Sequence, residues 1–154
     1  MSESVLNSGT ESQYRLLLLL SLLPEGVYSS SWLSALDFIV IYGSAFDVSG
    51  SNLHGDSWMK FTEYATRNLI VDDGLRNLAF RHWALVSAGD EGFRYRISDE
   101  GRTAADQLKT RYAVEYRRAA ANAVELYGDL SEMELDDVIH RASLINPKQE
   151  EQYD

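Results

Sequence analysis

The stretch Arg-Tyr-Arg-Ile-Ser-Asp-Glu-Gly, residues 94–101, is the most informative part of the sequence for the fold. In its first half, Tyr95 and Ile97 alternate with Arg94 and Arg96, and Phe93 just before it continues the apolar face. A period of two is typical of a β-strand with one buried face. In its second half, Ser98 is a favourable N-cap, and the two acidic residues after it suit the positive end of a helix. The stretch therefore predicts a strand that runs directly into a helix.

The residues upstream of this strand predict a hairpin and three helices. Residues 88–92 are rich in turn formers and separate the strand from a second β-type run at 85–86. Before them lie helical patterns at 12–23, 32–42 and 61–82, the first apolar almost all round. Three helices, a hairpin and a further helix are the order of a winged helix-turn-helix domain.

The predicted fold is therefore mainly α-helical with a small β-hairpin. We expect a flexible N-terminus at 1–12, a winged-helix-like domain at 13–98, a C-terminal helical extension at 99–145 and an acidic tail at 146–154. Within the extension, one long helix is expected from 99 to 127, and a capping box at 131–134 opens a final helix to about Leu144. The apolar stripe of the long helix is thin, so this helix either projects or packs against another chain.

Composition excludes several classes of function. The 154 residues carry a formal charge of −10, which argues against a free-standing nucleic-acid binder. The chain has no cysteine, which excludes disulfides and thiolate metal sites and fits a cytoplasmic protein. The most apolar run, 16–23, is too short to span a bilayer, and residues 1–14 lack the basic residues of a signal peptide.

No motif for catalysis, for a metal or for a cofactor is found in the sequence. Phosphate-binding glycine loops and the nucleophile elbow are absent. The three histidines favour structural roles, and an enzymatic hypothesis rests only on Asp37, His54 and Asp56. We therefore expect a protein that is not an enzyme.

Two residues are expected to be structural. Asp37 is the only charge in the apolar helix at 32–42, so its carboxylate must find donors, such as an arginine or a helix N-terminus. Gly74 lies in the middle of a helix, where glycine costs about 1 kcal/mol relative to alanine. A glycine at such a position often allows close packing of a neighbouring backbone.

Partner contacts are expected on the long loop and on the long helix. The loop at 43–57 is irregular, and its apolar members argue for docking onto the body of the protein or onto a partner. The candidate partner-binding residues are Phe46, Leu53, His54, Tyr112 and Tyr116. Arg94 and Arg96 are candidates for weak contact with a DNA backbone, although a solvated strand face explains them better.

Three segments resemble a known family. They are residues 36–46 (Leu-Asp-Phe-Ile-Val-Ile-Tyr-Gly-Ser-Ala-Phe), 51–54 (Ser-Asn-Leu-His) and 69–78 (Leu-Ile-Val-Asp-Asp-Gly-Leu-Arg-Asn-Leu). Together they are similar to the middle-component family of bacterial ABC three-component defence systems, over roughly residues 14–98. The matching positions are Asp37, Tyr42, Gly43, Leu53, His54 and Gly74.

The resemblance implies a non-catalytic, winged-helix-like subunit that works beside an SMC-like ABC ATPase and a toxic effector such as a nuclease. Lamassu anti-phage complexes, with a subunit called LmuC, are the nearest such assembly. By this analogy the chain is an adaptor that helps to hold the effector inactive until foreign DNA is sensed, while the ATPase binds ATP. The alternative is a winged-helix DNA-binding transcriptional regulator.

Overall fold

The structure, a computed structural model, describes residues 9–50, 53, 64 and 66–151. In chain order its elements are α1 (Gly9–Leu22), β1 (Tyr28–Ser29), α2 (Ser30–Ile41), a 3-10 turn (Gly43–Phe46), α3 (Asn68–Phe80), β2 (Ala84–Gly89), β3 (Gly92–Ile97), α4 (Asp99–Asp106), α5 (Arg111–Tyr127) and α6 (Glu132–Glu151). The predicted fold class, mainly α-helical with a small β-hairpin, is confirmed.

The sheet has three antiparallel strands in the order β1-β3-β2. β2 and β3 pair along their whole length and end at the facing Gly89 and Gly92, with a two-residue turn between them. β1 adds Tyr28 opposite Tyr95 on the other side of β3. The sequence did not predict β1, because two residues are too few to show a period and the pairing comes from tertiary contact.

The core forms around α1 and α2. Residues 16–20 of α1 are all buried, in agreement with a helix that is apolar on every side, and α1 packs against α3, α4 and α5. α2 is buried from Trp32 to Ile41 and packs against α3, α5 and α6. Ser29 caps α2, since its hydroxyl oxygen accepts a hydrogen bond of 3.2 Å from the Trp32 N–H.

The single helix expected at 99–127 is wrong, because the structure has two helices there, α4 and α5. Thr110 caps α5 by accepting a 3.1 Å hydrogen bond from the Ala113 N–H. The Arg117 guanidinium reaches back and donates to the carbonyl oxygens of Leu108, at 2.6 Å, and Ala105. The break therefore has its free backbone groups satisfied, and it allows the alanines of α5 to pack on the core.

The chain ends also differ from expectation. α1 begins at Gly9 rather than near residue 12, and residues 1–8 lie outside the described part. α6 continues past Pro147 to Glu151. This proline removes a helical hydrogen bond, but residues 148–151 are good helix formers. The predicted capping box is present: Ser131 and Glu134 exchange hydrogen bonds of 3.0 and 3.1 Å. The first part of the helix expected at 61–82 lies outside the described residues, and the rest ends at Phe80.

Candidate functional site

A buried charge cluster is centred on the Asp37 carboxylate. The Arg15 Nε lies 3.2 Å from Oδ1 and 3.3 Å from Oδ2, and the Arg15 Nη2 lies 3.3 Å from Oδ2. Arg67 donates to Oδ2 through Nη2, and the Tyr116 hydroxyl donates to Oδ1 at 2.7 Å. Arg15, Asp37 and Tyr116 are almost completely buried. One carboxylate thus receives donors from two arginines and a tyrosine.

Each member of the cluster comes from a different segment. Arg15 lies on α1, Asp37 on α2 and Tyr116 on α5, while Arg67 immediately precedes α3. Such a cluster is destabilising when incomplete, since removing one partner of a buried ion pair leaves an uncompensated charge. The cluster therefore makes the mutual arrangement of three helices and the start of a fourth depend on a single carboxylate.

The charges shift the pKa values of the cluster. Burial alone would raise the pKa of Asp37, but Arg15, Arg67 and the Tyr116 hydroxyl outweigh it and lower the pKa to about 2. Burial raises the pKa of Glu11, and the nearby Arg15 and a hydrogen bond with Tyr112 offset this only in part. Asp37 is therefore ionised across the physiological range, a state suited to structure rather than to proton transfer.

The depressed pKa of Asp37 predicts a pH dependence of stability. Its contribution is fully present above its unfolded pKa, about 3.9, and is lost as the pH falls through about 2. We expect the gap in unfolding free energy between wild type and Asp37→Asn to be constant down to about pH 4 and to shrink towards pH 2. Burial is the largest cause of the raised pKa of Glu11 and acts in both proteins, whereas the charge of Asp37 is the smallest cause, so the effect of Glu11 largely cancels in the gap. Urea denaturation of both proteins at a series of pH values measures the gap. An undiminished gap at pH 2 would contradict the depressed pKa of Asp37.

The apolar residues of the loop after α2 pack onto the body of the protein. Phe46 and Val48 are buried, and Leu53 is partly buried. Tyr127 donates to the Phe46 carbonyl oxygen at 2.8 Å, and Asn122 donates to the Val48 carbonyl oxygen at 3.0 Å. Of the two alternatives left by the sequence, docking onto the body is what these residues do.

The five candidate partner-binding residues do not form one exposed surface in the structure. Phe46 and Tyr116 belong to the core, so a partner could reach their side chains only if the core opened. Leu53 and Tyr112 are partly buried, and His54 lies outside the described residues. The sequence placed Tyr116 at a surface because the stripe of its helix is thin, but small alanines on α5 let this helix approach the core closely.

The two candidate DNA-contacting arginines share one face of β3. Arg94 is partly exposed and pairs with Glu91 at 3.1 Å, whereas Arg96 is exposed. On the other face Tyr95 is buried, as expected, but Phe93 is 61 % exposed. Phe93 lies at the tip of the hairpin, one residue beyond the pairing with β1, so the prediction that it is buried is wrong.

An exposed stripe on α3, which the sequence did not predict, consists of Leu69, Asp73, Arg76 and Phe80. These residues are 4, 3 and 4 positions apart, so they lie along one side of the helix. Leu69 is 77 % exposed and Phe80 is 87 % exposed. The spacing itself was a signal, since large apolar residues eleven positions apart share a helix face. We call these four residues the α3 stripe.

The opposite side of α3 makes a close approach to α1. A β-carbon at Gly74 would lie 3.0 Å from the Leu16 Cδ1 and 3.1 Å from the Ser12 Oγ. Gly74 is buried, which agrees with the close packing expected of this glycine. The packing of α3 against α1 leaves the α3 stripe facing away from the core.

Metal-binding and membrane-spanning features are not found in the part of the chain that the structure describes. No group of three or more histidine, cysteine or acidic side chains is placed to hold a metal ion there. No helix in the same part is both long and apolar enough to cross a membrane.

Comparison with known proteins identifies the family. Residues 5–146 match the family model described as ABC-three component (ABC-3C) system Middle Component 2. Neither the curated proteins nor the solved structures give a significant match. The family match covers nearly the whole chain and extends beyond the segments that carried the resemblance. The chain therefore belongs to the Middle Component 2 family of ABC-three component systems.

Proposed function

We propose that this chain is the non-catalytic adaptor subunit of an anti-phage defence complex. It bridges an SMC-like ABC ATPase and a toxic effector such as a nuclease, in the manner of the LmuC subunit of Lamassu, with a winged-helix-like domain at 13–98 and a helical extension at 99–145. Membership of a middle-component family supports action together with other components. To this family membership the proposal adds the bridging role, the identity of the two partners and the absence of catalysis.

The α3 stripe is the observation that carries the adaptor role. In a DNA-reading winged helix, the helix before the hairpin enters the major groove. Here the exposed side of that helix carries Leu69 and Phe80, and its charges, Asp73 and Arg76, cancel. Leu69 and Phe80 lie about three turns apart on one side of the helix, with a neutral pair of charges between them. Such a face suits a protein partner, whereas phosphates would gain little from a neutral face. This helix is therefore suited to contact a protein.

The α3 stripe gives a direct test of the proposal. We expect Leu69→Asp with Phe80→Asp to weaken co-purification with the other components of the same ABC-3C system at least tenfold, because both changes put charge into an apolar contact. The matched control is Asn68→Asp, an exposed change at the start of α3 that is neither three nor four positions from any residue of the stripe. Equal recovery of the double variant and the control would show that the stripe is not a contact.

A DNA-binding transcriptional regulator is the second candidate, and the exposed Arg96 beside Arg94 is the observation in its favour. We expect the isolated chain to bind a DNA duplex weakly at physiological salt, because few basic residues are available for phosphate contact. Arg94→Ala with Arg96→Ala should change this weak binding little. Fluorescence anisotropy measures it. Nanomolar binding with a steep salt dependence, lost in the double variant, would favour the regulator.

A further inference from the structure

The outer edge of β2 is open along six residues. The strand order β1-β3-β2 places β2 at the border of the sheet, and no other strand in the described residues pairs with its outer side. Residues 84–89 read Ala-Leu-Val-Ser-Ala-Gly and contain no charged residue and no proline. Natural sheets usually protect an edge with charge, proline or a very short strand. β2 has none of these protections, whereas β1, at the other edge, is only two residues long.

The register shows which backbone groups of β2 point outwards. Hydrogen-bonded and non-hydrogen-bonded pairs alternate along an antiparallel ladder. The Ser98 N–H donates to the Trp83 carbonyl oxygen at 3.0 Å, which makes 83 and 98 a hydrogen-bonded pair. Two-residue steps along the same register make Leu85 and Ser87 hydrogen-bonded to β3. The N–H and C=O groups of Val86 and Ala88 therefore point away from β3, and no strand among the described residues pairs with them.

The side chains of β2 give this edge one apolar face and one face beside cations. Val86 is 49 % exposed and shares its face with the exposed Phe93. Leu85, which is 42 % exposed, lies on the other face, directly opposite Arg96. A strand added at this edge would need apolar side chains on the Val86 face.

The charged residues near β2 indicate which side chains an added strand should have on the Leu85 face. Arg96 and Arg94 lie on that face, and Arg94 is paired with Glu91. Glu25, Asp99 and Arg102 line the same shallow cavity as Arg96. Residues 81–98 carry three basic and two acidic residues, in a chain whose net charge is −10. The three basic and three acidic side chains named here cancel, but Arg96 is exposed and makes no ion pair among the described residues, so an acidic side chain of the added strand could pair with it.

We propose that β2 is a docking edge for an extended segment of a partner protein, in which apolar residues alternate with acidic ones, and which pairs with β2 as a fourth strand. A second copy of this chain is a poorer occupant. Two copies, each with a net charge of −10, would repel one another and would have to associate through strands that are only about 20 Å long. The inference rests on the proposed function only for the source of the segment, which would be another component of the complex.

Two synthetic peptides test the docking edge with the full chain. The probe is the nonapeptide Thr-Glu-Val-Glu-Val-Glu-Val-Glu-Thr, and its matched control has lysine in place of every glutamate. We expect the acidic peptide to bind at least tenfold more tightly, as measured by fluorescence anisotropy. Hydrogen exchange of the Val86 and Ala88 amides should slow at least tenfold when it binds. Equal affinity for both peptides, no binding at millimolar peptide, or unchanged exchange at these amides would overturn the proposal.

Two substitutions at one position separate the outward N–H group from the side chain. Ala88→Pro removes the outward N–H without removing a hydrogen bond to β3, so we expect at least tenfold weaker peptide binding with an unchanged melting temperature. Ala88→Val keeps the N–H and should bind within twofold of wild type. Undiminished binding by a folded Ala88→Pro variant would overturn the proposal. So would protection of these amides that rises with protein concentration in the absence of peptide, because a second copy would then occupy the edge.

Failure of this inference is distinguishable from failure of the proposed function. If the peptide does not bind while wild type still co-purifies with the other components, the docking edge is wrong and the adaptor role stands. If the peptide binds but the components do not co-purify, the adaptor role is wrong and the edge takes a segment from another source.

Discussion

Replacing Asp37 by asparagine is expected to lower the free energy of unfolding by about 3–5 kcal/mol, the cost of breaking a buried ion pair. The substitution keeps the size of the side chain but removes the negative charge that faces Arg15 and Arg67. Both guanidiniums lie in the core, where water cannot replace the lost partner. Chemical denaturation followed by tryptophan fluorescence measures the change.

The matched control for Asp37→Asn is Asp73→Asn, the same change at an exposed position of α3. We expect the control to shift the unfolding free energy by no more than about 0.5 kcal/mol. A second variant, Tyr116→Phe, removes only the 2.7 Å hydrogen bond to the carboxylate and should cost about 1.5–3 kcal/mol. If Asp37→Asn were as mild as the control, the cluster would not organise the core.

Gly101→Ala is expected to lower the free energy of unfolding by about 3 kcal/mol, at the upper end of the usual cost of overpacking. Gly101 lies in the first turn of α4, where a β-carbon would collide with the Trp83 carbonyl oxygen and lie 2.9 Å from the Ile97 Cγ1. The colliding oxygen belongs to the backbone and accepts the hydrogen bond from Ser98, so it cannot move aside without disturbing the base of the hairpin.

Gly50→Ala is the control for Gly101→Ala, because nothing lies within 4 Å of a β-carbon at Gly50. There the change should be neutral or stabilising by up to about 1 kcal/mol, since alanine restricts the unfolded chain. Thermal melts of the two variants provide the comparison. If the Gly101→Ala variant had the same melting temperature as wild type, α4 would not pack closely against the base of the hairpin.

The parts of the fold that the sequence predicted are those determined by neighbouring residues. The alternation at 94–97 and the Ser98 cap are local signals, and the strand and helix follow from them directly. The break at 107–110 could not be predicted in this way, because Arg117 stabilises it from the next helix. β1 likewise depends on β3, which lies more than sixty residues further along the chain.

The same division explains what the sequence showed of the candidate site. A carboxylate alone in an apolar helix required donors, so the environment of Asp37 followed from one residue. Its donors did not, because Arg15 and Arg67 lie 22 and 30 residues away in sequence. The arginine next to the leucine run of α1 was the only available hint. Exposure was harder still: Tyr116 and Phe46 are buried, while Phe80 is exposed.

Co-expression with the other components of its ABC-3C system tests whether this chain bridges the ATPase and the effector. The measurement is affinity purification of the tagged full chain, followed by the mass of the eluted complex. We expect a stable complex that contains this chain, the ATPase and the effector, and we expect the ATPase and the effector to separate when this chain is left out. An ATPase and effector that associate equally well without this chain would contradict the adaptor role.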